Sequence, residues 1–170
     1  MTEYANAAER LRELIQFLEE NSIPVPETEF TSNLGEWLVM DQLVGCGYSP
    51  TLQSGQSDVD ILLQNGKRVE VKSGTWDSAF GGVYRFDRIK PEKLDYLVCV
   101  KFEADYSDVE YFVFSSEEVD SLPPRNRSAF NNPVREDDQR LLRILDDPEK
   151  TNRRDMQEIN RRLNELCNAR

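Results

Sequence analysis

The stretch Asp58-Val59-Asp60-Ile61-Leu62-Leu63-Gln64-Asn65-Gly66-Lys67-Arg68-Val69-Glu70-Val71-Lys72 reads as a β-hairpin carrying acids at Asp58, Asp60 and Glu70 and a lysine at Lys72. Polar and apolar residues alternate on either side of Asn65-Gly66, the period-2 pattern of strands around a turn signal. The register decides what such a hairpin can do. A three-residue loop, Gln64-Asn65-Gly66 with the glycine left-handed, pairs Leu63 with Lys67. Asp60 then stands opposite Glu70 and Asp58 opposite Lys72. Residues two apart share a face, so all four polar groups point the same way. A two-residue Asn-Gly loop would instead pair Asp60 with Val71 and put the acids and the lysine on opposite faces.

Three carboxylates on one strand pair repel one another, and a single lysine offsets only part of that. A hard divalent cation resolves the conflict, because Mg²⁺ takes one or two carboxylates and completes its shell with water and phosphate. Held between Asp60 and Glu70, such an ion would acidify a water and neutralise a phosphodiester, with Lys72 beside it to balance developing charge. The bland alternative is a solvated strand face with cross-strand ion pairs such as Asp58 with Lys72.

Upstream, residues 33–48 read as a helix. Leu34, Trp37, Leu38, Leu43 and Val44 follow helical spacing, Thr31, Ser32 or Asn33 can cap the start, and Gly45 and Gly47 can end it. Glu36 lies in its first turn, where an acid on its own simply favours the helix dipole.

Taken in order, these segments resemble the PD-(D/E)XK nuclease superfamily, which includes restriction endonucleases, Holliday-junction resolvases and phage exonucleases. The matching residues are Gly35-Glu36-Trp37-Leu38-Val39 with Leu43 and Gly47-Tyr48, then Val59-Asp60-Ile61-Leu62, then Val69-Glu70-Val71-Lys72-Ser73. The resemblance spans residues 33–115, about half the chain. It implies an α/β fold, a restriction-endonuclease-like mixed β-sheet core flanked by helices, here with extra N- and C-terminal helices. It also implies that Asp60, Glu70 and Lys72 form the catalytic core, that Glu36 assists the metal site, and that Mg²⁺ or Mn²⁺ is the cofactor. Asp58 has no fixed family role and is a candidate ligand for a second metal. Two features depart from the family: Val59 stands where a proline usually precedes the acid, and no glutamine or lysine motif follows the E-x-K strand on a helix.

A competing reading uses the same residues. Ser57-Asp58-Val59-Asp60-Ile61-Leu62-Leu63 looks like the metal strand of a polymerase-β-type nucleotidyltransferase, with Asp58 and Asp60 holding Mg²⁺. That family needs a Gly-Ser pair opening a helix upstream, and Gly47-Tyr48-Ser49-Pro50-Thr51 offers neither the pair nor room for the helix. A third reading is a catalytically inactive nucleic-acid-binding member of the nuclease fold. An EF-hand fails because Leu62 and Leu63 fall where a ligand and a glycine belong. The chain holds no histidine and no Walker phosphate loop, which removes His-based zinc sites, His general bases and Ser-His-Asp triads.

The chain has 170 residues and reads as a single domain, with an N-terminal helix over 1–26, a nuclease-like core over 27–122 and a C-terminal helical extension over 123–170. With no signal peptide and no long apolar run, the expectation is a cytoplasmic protein with no membrane association. Cys46 and Cys99 lie in apolar surroundings and are read as reduced core thiols, and no C-x-x-C joins them to Cys167.

A net charge of −11 sits awkwardly with a polyanionic substrate, but it is unevenly spread. Residues 1–66 carry −9 and residues 102–170 carry −5, whereas residues 67–101 carry +3. Arg68, Arg85, Arg88, Lys90 and Lys93 in that positive segment, with Lys67, are the candidates for tracking a phosphate backbone, and Trp76, Phe80 and Tyr84 are interleaved among them. Ordinary exposed charge and core aromatics would give the same pattern.

Elsewhere, Ala7 to Glu20 reads as an amphipathic helix with Leu11, Leu14, Ile15 and Leu18 on one face. Ser73 to Gly82 is a loop, Arg85 to Leu94 a short helix or turn, and the apolar runs 96–100 and 111–114 are strands. Ser115-Ser116-Glu117-Glu118 caps a short helix. Residues 125–133 form a loop, followed by helices over Asp137 to Leu145 and Thr151 to Cys167. In the last, Met156, Ile159, Leu163 and Leu166 make a short heptad seam that offers a homodimer contact.

Overall fold

The computed structural model describes residues 2–24, 27–53, 59–75, 83–103, 105–121, 124–129 and 132–145. Asp58, most of the loop from Ser73 to Gly82 and the helix expected over Thr151 to Cys167 lie outside the described residues, wholly or largely.

Helix α1 (Glu3–Glu20) opens at Thr2, whose hydroxyl accepts the Ala5 N–H at 3.0 Å and donates to Asp41 Oδ1 at 2.6 Å. One side chain thus caps α1 and ties it to α2 (Glu27–Gly45). Ala8, Leu11 and Ile15 are buried, while Leu14 and Phe17 face outward, so the apolar stripe is narrower than the sequence suggested. Helix α2 starts six residues ahead of the expected Asn33. Thr31, expected as a cap, lies inside the helix with its buried hydroxyl 2.8 Å from the Tyr106 hydroxyl. The helix stops where expected: Gly47 adopts φ +85°, and Tyr48 N–H reaches back to the Leu43 carbonyl at 3.0 Å.

The central sheet has five strands in the order β1 (Thr51–Leu52), β2 (Ile61–Leu62), β3 (Arg68–Gly74), β5 (Tyr96–Phe102) and β6 (Val109–Ser115). β3 and β5 run parallel and every other pair in this sheet is antiparallel, so the sheet is mixed. The connection between the parallel strands carries β4 (Val83–Ile89) and a 3₁₀ turn (Pro91–Lys93). β4 belongs to a second sheet, ordered β4-β8-β7, with β7 at Pro124–Ala129 and β8 at Asn132–Leu145. Helix α3 (Ser116–Asp120) follows β6 through a capping box in which Ser115 and Glu118 satisfy each other's backbone N–H groups, as expected.

Alternation along β5 divides the interior in two. Val98, Val100 and Phe102 join α1, α2, Val69 and Val71 in one cluster. Leu97 and Cys99 join Tyr84, Phe86, Ile89, Phe112 and Val119 in the other. The central sheet is therefore covered by the two long helices on one face and by the second sheet with α3 on the other.

Three expectations are corrected. Arg85 to Leu94 is not a helix: Tyr84 and Phe86 alternate with charged residues and are almost fully buried, the signature of a half-buried strand. Asp137 to Leu145 is not a helix either, because β8 lays Ile144 opposite Tyr84 and Leu142 opposite Phe86. Long-range pairing to a strand some sixty residues earlier outweighs local helix propensity here. Residues 124–129 belong to a strand rather than a loop. The described part of the C-terminal extension is thus β-structure, not helix. A further correction concerns cysteine. Cys99 is a buried free thiol as expected, whereas Cys46, half-exposed just past the end of α2, takes part in a disulfide.

Candidate active site

The turn settles the register on which the site depends. Leu63 N–H donates to the Lys67 carbonyl at 2.9 Å, Gly66 N–H donates to the Leu63 carbonyl at 2.9 Å, and Gly66 takes φ +81°. This is the three-residue loop, with the glycine in the left-handed position that its lack of a Cβ permits. Ile61 pairs with Val69 and Leu62 with Arg68, so Asp60, one residue before β2, falls opposite Glu70. Ile61, Leu63, Val69 and Val71 are buried among the helices. Glu70 and Lys72 alternate with these and lie beside Leu97 and Cys99 of β5, on the face turned toward the second sheet.

Asp60 is held by backbone, Glu70 by a side chain and Glu36 by the packing of its helix. The Asp60 carbonyl accepts the Gln53 N–H at 2.7 Å, and its carboxylate Oδ2 accepts the Val71 N–H at 2.7 Å. Glu70 Oε1 meets Lys72 Nζ at 2.5 Å, both side chains being largely shielded from solvent. Glu36 comes from α2, within electrostatic reach of Asp60, Glu70 and Lys72. Its depth is set next door: a Cβ on Gly35 would fall 1.8 Å from Ser73 Oγ, so helix and strand meet closely only because residue 35 is glycine. Ser73 Oγ is buried there with no hydrogen-bond partner among the described residues.

The electrostatics show the strain of gathering acids. Burial, reinforced by the charges of Asp60 and Glu70 and only partly offset by Lys72, pushes the Glu36 carboxyl up to about 7. Burial also raises Asp60, against the Val71 N–H bond and the Lys72 charge that favour its ionised form. The site holds more negative charge than its lysine balances. Its donors are all carboxylate oxygens, the ligands of a hard cation rather than of zinc or copper. Among the described residues no three acidic or cysteine side chains close into a ready-made cage. Mg²⁺ is a hard cation of the kind that takes one or two carboxylates and leaves its other positions to water and phosphate.

The five basic residues proposed for nucleic acid are scattered in role. Arg68 is engaged at the start of β3: its guanidinium Nε lies 3.2 Å from Asp95 Oδ2, and its backbone N–H donates to the same oxygen at 2.9 Å. Lys67 adds a second contact to Asp95 at 3.4 Å. Burial alone would raise the Asp95 carboxyl, but the hydrogen bonds from Arg68 and the charge of Lys67 hold it below the usual range. Arg85 is half-buried in β4, and Lys90, just before the 3₁₀ turn, and Lys93, its last residue, are half-exposed. Arg88 is the exposed one, at φ +57° where the β4–β8 register shifts. A bulge of this kind re-aims a side chain out of the strand plane.

Lys101 was not singled out in the sequence. It is almost fully buried, 3.4 Å from Glu110 Oε2, 3.9 Å from Glu103 Oε1 and 4.5 Å from the centre of the Tyr84 ring. Residues 97, 99 and 101 share a face of β5, so Lys101 stands on the same side of the sheet as Lys72. The signal was present as a lone cation in the run Tyr96-Leu97-Val98-Cys99-Val100-Lys101-Phe102.

No family model and no curated protein matches the chain. Among solved structures, the bacterial homing endonuclease I-Ssp6803I is similar, with a TM-score of 0.55 at 12% identity, over 84% of this chain and 94% of that one. At that identity the likeness is one of fold. Among the described residues, no helix is long and apolar enough to cross a membrane.

Proposed function

We propose that this chain is a metal-dependent nuclease of the PD-(D/E)XK type, hydrolysing phosphodiester bonds in DNA. One observation carries the reading: the three-residue turn sets Asp60 opposite Glu70 with Lys72 alongside, and Glu36 on α2 lies within electrostatic reach of all three. A fold also found in a homing endonuclease supports it.

When bound by Asp60 and Glu70, with Asp58 as a further ligand, Mg²⁺ or Mn²⁺ supplies charge neutralisation at the phosphate and acidity to an attacking water. The protein's own groups do the rest. The Val71 N–H holds one Asp60 carboxylate oxygen at 2.7 Å and so fixes the side chain. Lys72, anchored on Glu70, presents an ammonium where charge grows on the phosphate oxygens or on the incoming water. Glu36, its carboxyl raised to about 7 by burial and by its acidic neighbours, is placed to exchange a proton near neutral pH. Glu70 and Lys72 are largely shielded from solvent, so these charges act with less screening than at an open surface.

The decisive assay is cleavage of linear, nicked, branched and single-stranded DNA with Mg²⁺ or Mn²⁺, beside Glu70→Ala and Lys72→Ala. The expected outcome is metal-dependent cutting that each substitution lowers by about a hundredfold or more. Cutting that survives both would reject the site.

A further inference from the structure

Residues two apart on a strand share a face, so Arg68, Glu70 and Lys72 stand in one line along β3, each about 7 Å from the next. Glu70 and Lys72 belong to the proposed site. Arg68 is the next side chain on their face in the direction of the hairpin turn. Its guanidinium is held in place. Nε donates to Asp95 Oδ2 at 3.2 Å and Nη1 to the Glu92 carbonyl at 3.4 Å, while the Arg68 backbone N–H donates to the same Asp95 oxygen at 2.9 Å. The Asp95 N–H returns a bond to the Arg68 carbonyl at 2.9 Å, so side chain and backbone are both tied to the segment that leads into β5. Lys67 Nζ lies 3.4 Å from Asp95 Oδ1, and two cations against one carboxylate leave positive charge over.

Arginine carries five N–H donors. One on Nε and one on Nη1 are used here, so three remain, and among the described residues nothing accepts them. The side chain is 41% exposed, which leaves those donors open to a ligand. An ion pair this exposed adds little to folding stability, while fixing a long side chain costs rotamer entropy. Stability alone therefore gives no reason to anchor the guanidinium at two points. Anchoring does favour binding, because a cation already oriented has less freedom to lose when its ligand arrives. The planar fork of arginine matches the oxygens of a phosphate, where lysine offers only a point charge.

We propose that Arg68 is a preset phosphate clamp, gripping a DNA backbone phosphate beside the scissile one on the hairpin side of the site, with Asp95 as the positioning residue that aims it. The location of the scissile phosphate rests on the nuclease reading, which the clamp deepens by naming a group that fixes how the strand lies across Glu70 and Lys72.

The test uses the full-length chain without divalent cation, so that binding is separated from cutting. Wild type, Arg68→Ala, Arg68→Lys and Asp95→Asn are titrated with labelled duplex and single-stranded DNA across a salt series, and the comparison is read on whichever binds wild type more tightly. Arg68→Ala is expected to bind about tenfold more weakly and to lower the salt slope by about 1, the value of one lost phosphate contact. Arg68→Lys is expected to keep the slope but bind about fivefold more weakly, since the charge stays and the fork is lost. Asp95→Asn separates aim from charge. Removing an acid from a chain of net charge −11 tightens binding to a polyanion if only bulk charge matters, whereas loss of the anchor weakens it. The clamp requires the second outcome, by about threefold or more. Unchanged affinity and slope in Arg68→Ala, wild-type affinity in Arg68→Lys, or tighter binding by Asp95→Asn would each overturn the proposal. Urea midpoints report folding, and if Arg68→Ala unfolds, Arg68→Lys decides. Cleavage with Mg²⁺ is read in parallel. Arg68-dependent binding without any cutting leaves the phosphate contact standing and removes the nuclease reading, whereas equal cutting and equal binding by wild type and Arg68→Ala do the reverse.

Discussion

Glu36 is where the cluster's excess charge becomes measurable. Its carboxyl, raised from the ordinary range to about 7, is disfavoured as an anion in the folded chain, so the folded state holds more protons than the unfolded one between about 4.5 and 7. Stability is full below the ordinary value, falls as pH rises through about 7, and is flat above. Replacing Glu36 by Gln should remove that slope and make the protein more stable at pH 8 by on the order of 1 kcal/mol, after discounting for solvent screening. Urea midpoints at pH 5 and pH 8 check this, and an unchanged slope in the variant would mean that Glu36 is not the source of the pH dependence. The neighbouring glycine makes a steric prediction. Gly35→Ala drives a methyl into Ser73 Oγ and should cost about 2 kcal/mol despite alanine's better helix propensity. Adding Ser73→Gly should recover most of that loss, since the next contact, Val100 Cβ at 3.6 Å, is ordinary packing. Thermal midpoints of the single and double variants measure it. Cleavage should follow the same order if helix depth positions Glu36.

At the scale of elements, the hairpin turn is the part on which the site rests. Gly66→Ala should cost about 1 kcal/mol, because a Cβ is strained at φ +81° although the space around it is open. Gly66→Asn should cost less, as asparagine tolerates the left-handed region. Denaturation of both variants tests the loop directly. This hairpin was legible in the sequence because its information is local: Leu63, the Gln-Asn-Gly loop and Lys67 sit within one turn, although the choice between a two- and a three-residue loop was left to the structure. The stop of α2 at Gly47 and the capping box at Ser115 were legible for the same reason. That Glu36 meets Asp60 and Glu70 came from the resemblance alone, since a helical acid carries no mark of the strand it faces. β4 and β8 were misread because each strand is stabilised by the other across a long stretch of chain, and the segment 137–145, rich in Leu and Arg, is locally a good helix. The Val71 N–H on Asp60, the bulge at Arg88 and the buried Lys101 depend on three-dimensional packing that no local pattern encodes. Phe86, almost fully buried in the joint between the sheets, tests that packing: Phe86→Ala should cost about 3–5 kcal/mol, read by denaturant titration.

For the whole molecule, charge relief by a cation is a linkage effect and should register as stability. Mg²⁺ at ten times its dissociation constant adds about 1.4 kcal/mol, or about 3–5 °C in melting temperature for a chain of this size. The same titration on Glu70→Ala should be flat, and calorimetry with and without the ion distinguishes the two. The order of the second sheet has a consequence for how the chain reaches this state. β8 is its middle strand, so β4 has no strand partner until the chain has been made as far as residue 145 and folded back. Until then the Tyr84 and Phe86 strand is an open edge against the face of the central sheet opposite the helices. Loop closure over such a separation is slow, and unpaired apolar strands recruit wrong partners while they wait. A refolding reaction should accordingly form the α1–α2 layer with β3 and β5 first, and dock the second sheet in a later, concentration-sensitive phase. Pulse-labelled hydrogen exchange would see the amides of β5 protected before those of β4.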